Sequence, residues 1–183
     1  MKTDKFGIKD LTLAGIIAAL YMLLTLPFAQ FSYGIIQFRL AEILTVLPIL
    51  NFAAVPGVFV GCFLVNLLNP HSLGLVDIIG GSLATLLAAW LSYRWGTPWR
   101  LTKDKAESRI SLRRLVPLVP PIIVNALIVG TYLPYLLLDQ VTVPTLLGAI
   151  GSIALTQSLV IFLLGLPLLL ALQRTGRFNK ESS

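Results

Sequence analysis

The sequence predicts an all-α integral membrane protein, with six transmembrane helices in a compact bundle and both termini cytoplasmic. Three observations carry this reading. Hydrophobic residues make up 56% of the 183 residues and charged residues only 12%, about half the charged share of a soluble domain, and mean hydropathy is +0.87. Of 14 lysines and arginines, 13 flank apolar runs: Lys2, Lys5 and Lys9 before the first, seven from Arg94 to Arg114, and Arg174, Arg177 and Lys180 after the last. Those runs have the lengths and the turn signals of membrane helices.

The first span is read over 11–29 and the second over 38–51, where Pro48 loosens the final turn. Pro56 and Gly57 mark a turn into the third, 58–68. The fourth covers 75–93 and closes on an interfacial belt of Tyr93, Arg94 and Trp95. The fifth covers 115–138. The sixth, 144–172, is longer than one crossing needs and carries Gly165-Leu166-Pro167, so a bend is expected there. The whole chain reads as one membrane domain. Six spans place the termini and the basic loop 96–114 on the cytoplasmic side of the cell membrane, as the positive-inside rule requires. The run 11–29 is read as a retained helix rather than a cleaved signal, because it lacks a clear small-residue cleavage site.

Composition also excludes functions. The net charge of +6 belongs to span ends rather than to a folded basic surface, so no nucleic acid is expected as a partner. One cysteine, Cys62, permits no internal disulfide, and one histidine, His71, builds no histidine metal cluster. There is no zinc spacing, no phosphate loop followed by lysine and serine or threonine, and no aspartate pair for magnesium. No enzyme activity, cofactor or metal is expected, and the chain cannot hydrolyse ATP itself.

The informative polar residues lie within apolar surroundings. Arg39 and Glu42 are three apart, on one side of a helix, and charges at membrane depth face a cavity or each other. The pair either fixes the second span structurally or lines a polar pocket near the outer face, with one Glu42 oxygen left for a ligand. Asn66, Asn125 and Gln157 add amide donors and acceptors from other spans, and Gln37 adjoins the charged pair. Asp77 is explained as a helix cap. Tyr33, with Phe28, Phe31 and Phe38, either anchors an outer loop at the interface or stacks on a planar solute. In the first span Ala14 with Ala18, and Gly15 with Ala19, recur at four-residue spacing, a flat strip for internal packing or for docking a second protein.

These residues resemble the queuosine-precursor transporter family, the substrate-capture subunits of energy-coupling-factor importers. The likeness runs through Ser32-Tyr33-Gly34, Ile36-Gln37-Phe38-Arg39 and Glu42, then Gly61-Cys62, Asn66-Leu67-Leu68 and Gly81 to Leu86. It continues through Pro120-Pro121, Val124-Asn125-Ala126-Leu127 and Gly165-Leu166-Pro167-Leu168. It implies capture of a heterocyclic 7-deazaguanine (preQ0 or preQ1) from outside, with a membrane-embedded coupling subunit and two cytoplasmic ATPase subunits as partners. Glu42 is then the acceptor for the guanine-like N–H edge, Arg39 its support, and Asn66, Asn125, Gln157, Gln37 and Tyr33 the remaining contacts. Ala14, Gly15, Ala18 and Ala19 match the strip that docks on the coupling subunit. Three departures stand out: Ile35 where the family has proline, Ala41 where it has serine, and Gln157 where glutamate is common. Two other readings compete: a stand-alone proton-coupled carrier of a purine-like solute, and a membrane assembly protein without transport.

Overall fold

The apolar runs fold around one short central segment. The computed structural model describes residues 6–28, 39–69, 73–101 and 112–175. The longer helices are α1 (Ile8–Thr25), α2 (Ala54–Leu68), α3 (Leu75–Trp95), α4 (Val119–Leu137), α5 (Val143–Val160) and α6 (Leu166–Arg174), with a 3-10 helix at Leu40–Ile49. Helix α1 packs mainly on α2, α2 on α3, α3 on α4 and α4 on α5. The 3-10 helix is the hub, touching α1, α2, α3, α5 and α6. Its apolar residues are therefore buried on several faces, Ala41, Leu44, Val46 and Ile49 among them.

Among the described residues four helical stretches are long and apolar enough to cross a membrane: Ile8–Phe28, Leu75–Trp95, Leu112–Leu137 and Val143–Arg174. This overturns the count of six spans. The segment read as the second span is the 3-10 helix of 10 residues, which rises about 20 Å at roughly 2.0 Å per residue. The third is α2, 15 residues long, or about 22 Å at 1.5 Å per residue. Both fall short of a hydrocarbon layer about 30 Å thick. The 3-10 helix is apolar because it is buried within the bundle, whereas α2 buries one face and exposes Val60, Phe63, Leu67 and Leu68 on the other, and hydropathy cannot tell the two environments apart.

Local chemistry explains the departures in detail. Pro48 has no N–H to donate, which removes the i→i−4 bond to the Leu44 carbonyl, and the Thr45 hydroxyl donates to the Glu42 carbonyl at 2.6 Å. Pro56 sits inside the first turn of α2, where a missing N–H costs nothing. That start is held by Asn51, whose side-chain oxygen accepts from the Ala53 N–H at 2.8 Å. The longest stretch widens into a π-helix at Ile161–Gly165. This occurs where Pro167 has no N–H for the Leu163 carbonyl, the place at which a bend was expected.

The cytoplasm-directed basic loop of the sequence reading is tied down at its ends. Arg100 donates to the Ile49 and Tyr93 carbonyls, each at 2.8 Å, closing the 3-10 helix and α3 together, and its guanidinium lies over the Tyr93 ring at 4.3 Å. Buried Trp99 donates to the Arg114 carbonyl at 2.7 Å. The outward faces carry Leu11, Leu23, Leu83, Leu127, Leu155 and Leu163, all well exposed, as suits a protein whose surrounding solvent is lipid.

Helices α1 and α2 meet at backbone distance. A Cβ on Gly61 would stand 2.6 Å from the Tyr21 Cβ and 3.1 Å from the Ala18 Cα, and one on Gly57 2.9 Å from the Ala14 carbonyl oxygen. Ala14 and Ala18 are buried in this contact, whereas Gly15 faces outward with nothing within 4 Å of an added Cβ. Gly61→Leu is expected to cost about 2–3 kcal/mol and to lower the melting temperature in detergent by roughly 5–10 °C. Gly15→Leu should leave it within about 1 °C, and equal effects at the two positions would contradict this packing.

Candidate functional site

The site begins with a carboxylate that apolar surroundings cannot tolerate alone. Glu42 stands in the first turn of the 3-10 helix and is 3% exposed. Burying a charged carboxylate costs several kcal/mol unless it is paired and hydrogen-bonded. Three helices supply the bonds. Tyr21 of α1 donates its hydroxyl to Oε1 at 2.9 Å, Gln157 of α5 donates Nε2 to Oε2 at 2.8 Å, and Asn125 of α4 donates Nδ2 to Oε2 at 3.5 Å. Both oxygens are therefore engaged, where the sequence reading left one open.

Arg39 immediately precedes the 3-10 helix, in extended conformation, and is nearly buried. It lines the same cavity as Glu42, together with Gly81 and Thr85 of α3, Asn125 and Val129 of α4, and Ile153 and Gln157 of α5. The cavity volume is about 20 Å³, enough for one water and far below what a heterocycle occupies.

Beside this cavity, behind Gly81, lies a second buried polar group. Asp77 is fully buried, and Tyr132 of α4 donates to its Oδ1 at 2.8 Å. Asn66 of α2 donates Nδ2 to the Asp77 carbonyl at 3.4 Å and approaches Cys62 Sγ at 3.7 Å, and Thr85 donates to the same sulfur at 3.4 Å. Asp77 is not the helix cap read from the sequence: Gly74 occupies the N-cap of α3, and the Asp77 side chain turns to Tyr132.

Of the residues singled out from sequence, Glu42, Arg39, Asn125 and Gln157 come together around one cavity. Asn66 is buried behind its wall. Gln37 and Tyr33 lie outside the described residues. Ala14 and Ala18 are buried, while Gly15 and Ala19 are exposed on the adjoining face of α1. Tyr21, Gly81, Thr85 and Tyr132 were missed. Tyr21 was findable: it follows Ala14 and Ala18 at helical spacing and is the one hydroxyl-bearing aromatic in its helix.

A larger groove of about 1000 Å³ runs over α2 and α3, lined by Phe52, Phe59, Leu83, Leu87 and Trp90. Its lining is apolar and presents nothing to orient a polar solute. Among the described residues no three histidine, cysteine, aspartate or glutamate side chains are grouped to hold a metal.

Comparison with known proteins supplies the family. The queuosine precursor transporter QueT of Lactococcus lactis subsp. cremoris (strain MG1363) is 39% identical over 80 residues, 43% of this chain and 46% of that protein. The match thus spans somewhat under half the length of this curated relative. No solved structure matches. The sequence model of the QueT transporter family matches residues 11–174, nearly the whole chain. The chain is a multi-pass membrane protein that belongs to the QueT transporter family.

Proposed function

We propose that the protein is the substrate-binding subunit of an ATP-dependent energy-coupling-factor importer and captures a queuosine precursor, a 7-deazaguanine such as preQ0 or preQ1, from outside the cell. The observation that carries this reading is Glu42, a buried acceptor ringed by donors from three helices at the edge of a polar cavity. The guanine-like edge of such a solute presents adjacent ring N–H and exocyclic amine donors. One carboxylate accepts both, the converse of a protein donor pair reading guanine's acceptors.

In the proposed cycle the solute's donors replace the amides of Gln157 and Asn125 on Glu42 Oε2. The released amides then turn to the ring's acceptors, so each polar group exchanges one partner for another. Tyr21 keeps Oε1 engaged and Arg39 supplies the balancing positive charge. Widening the cavity requires α4 and α5 to move relative to the 3-10 helix.

ATP hydrolysis belongs, on this reading, to two cytoplasmic partner subunits joined through a membrane-embedded coupling subunit. An even number of spans supports one side for the N-terminal cluster, the 96–114 loop and the C-terminal cluster, and the positive-inside rule supports the cytoplasmic one. For docking, the exposed Gly15 and Ala19 are the available part of the small-residue strip, since Ala14 and Ala18 are occupied by α2.

Glu42→Gln should lower the affinity of purified protein for preQ0 about 10- to 100-fold, the worth of a charge-assisted hydrogen bond, in a calorimetric titration. Unchanged affinity removes Glu42 from recognition. Gly15→Leu combined with Ala19→Leu should leave that titration unchanged while reducing co-purification with the coupling subunit and uptake by cells. Normal assembly rules out this face as the docking surface.

A further inference from the structure

The proposed site contains more acid than it can balance. From Leu11 to Tyr93 the chain has one lysine or arginine, Arg39, and two carboxylates, Glu42 and Asp77. From Leu115 to Gln173 the single aspartate, glutamate, lysine, arginine or histidine is Asp139, which is exposed beyond the end of α4. Among the described residues the one other buried cation, Arg114, lies over the Trp99 ring, so with both carboxylates ionised Arg39 alone is left to balance the two, a costly state at membrane depth.

Asp77 is where that charge is least satisfied. Its Oδ1 accepts from Tyr132, but Oδ2 is buried and has no hydrogen-bond partner among the described residues. A buried carboxylate oxygen left unpaired is rare and unfavourable. Close to the same carboxylate stands Gly81, which lines the Glu42 cavity and has no side chain. A Cβ there would lie 3.7 Å from Asp77 Oδ1, 3.2 Å from the Tyr132 hydroxyl and 3.1 Å from Asn66 Nδ2. The absent side chain leaves these polar atoms one van der Waals contact from the cavity edge. Tyr132 fixes the carboxylate from α4, and Asn66 braces the same turn from α2 through the Asp77 carbonyl.

Resting on the reading of Glu42 as the acceptor for the heterocycle's N–H edge, we propose that Asp77 is a second specificity-determining acceptor, which takes a cationic amine carried on the solute's opposite side. Glu42 then selects the ring and Asp77 selects the substituent. A bound ammonium supplies both the partner that Oδ2 lacks and a second positive charge beside the two carboxylates. A nitrile, which ends in a lone pair, supplies neither.

The test uses calorimetric titration of the full chain in detergent with choline as the buffer cation, so that no metal ion competes. On the wild type, 7-aminomethyl-7-deazaguanine should bind at least about tenfold tighter than its neutral isostere 7-hydroxymethyl-7-deazaguanine, and equal affinities overturn the proposal without any variant. Asp77→Asn should erase that difference and leave the affinity for 7-cyano-7-deazaguanine within about twofold. An equal loss for aminomethyl and cyano solutes assigns Asp77 to structure alone and overturns its role while leaving Glu42's intact. If none of the three binds the wild type, the underlying reading of the Glu42 cavity fails, and this one with it.

Discussion

A carboxylate in a low-dielectric interior is stable only where several donors converge on it, and the architecture around Glu42 meets that requirement. No single helix provides the donors. They arrive from α1, α4 and α5, while the acceptor sits on the 3-10 helix between them. Each charge-assisted bond is worth about 1.5–3 kcal/mol, so three of them are of the size needed to offset a burial cost of several kcal/mol. Such a balance holds the helices in register and is easily re-divided: any solute that brings equivalent donors takes over the protein's own bonds at little net cost.

The central position of the 3-10 helix follows from this. A segment of 10 residues surrounded by other helices has no need to reach both membrane surfaces. It needs to present Glu42 inward at one end and close against Arg100 at the other, where the Ile49 carbonyl is held. The close approach of α1 and α2 through Gly57 and Gly61 brings Tyr21 within reach of Glu42. Backbone packing and site geometry are thus one problem: a larger residue at 61 pushes on the tyrosine that holds the carboxylate.

Much of this is legible in the sequence because membrane burial makes polar residues conspicuous. Arg39, Glu42, Asn125 and Gln157 stand out from their apolar neighbours, and the cavity gathers all four. The long apolar runs at 11–29, 75–93, 115–138 and 144–172 correspond to helices of spanning length, with ends shifted by a few residues. The count of six was wrong because Leu40–Ile49 and Ala54–Leu68 are apolar but too short to cross, and hydropathy gives side chains buried against protein the same value as those facing lipid. Asp77 looked like a cap because it opens a helix, and only the packing of α3 on α4 reveals Tyr132 as its partner. Gly81 is one of 14 glycines and does not stand out as a site residue until its neighbours in space are known.

The account's central claim, that the Glu42 cavity is where solute binds, is tested most directly by a structure of the protein with a bound 7-deazaguanine. The expected result is the ring's N–H edge on Glu42, with Gln157 and Asn125 drawn off Oε2 and α4 and α5 farther apart. A solute resting elsewhere, for example in the apolar groove over α2 and α3, with the bonds from Tyr21, Gln157 and Asn125 to Glu42 unchanged, would contradict it.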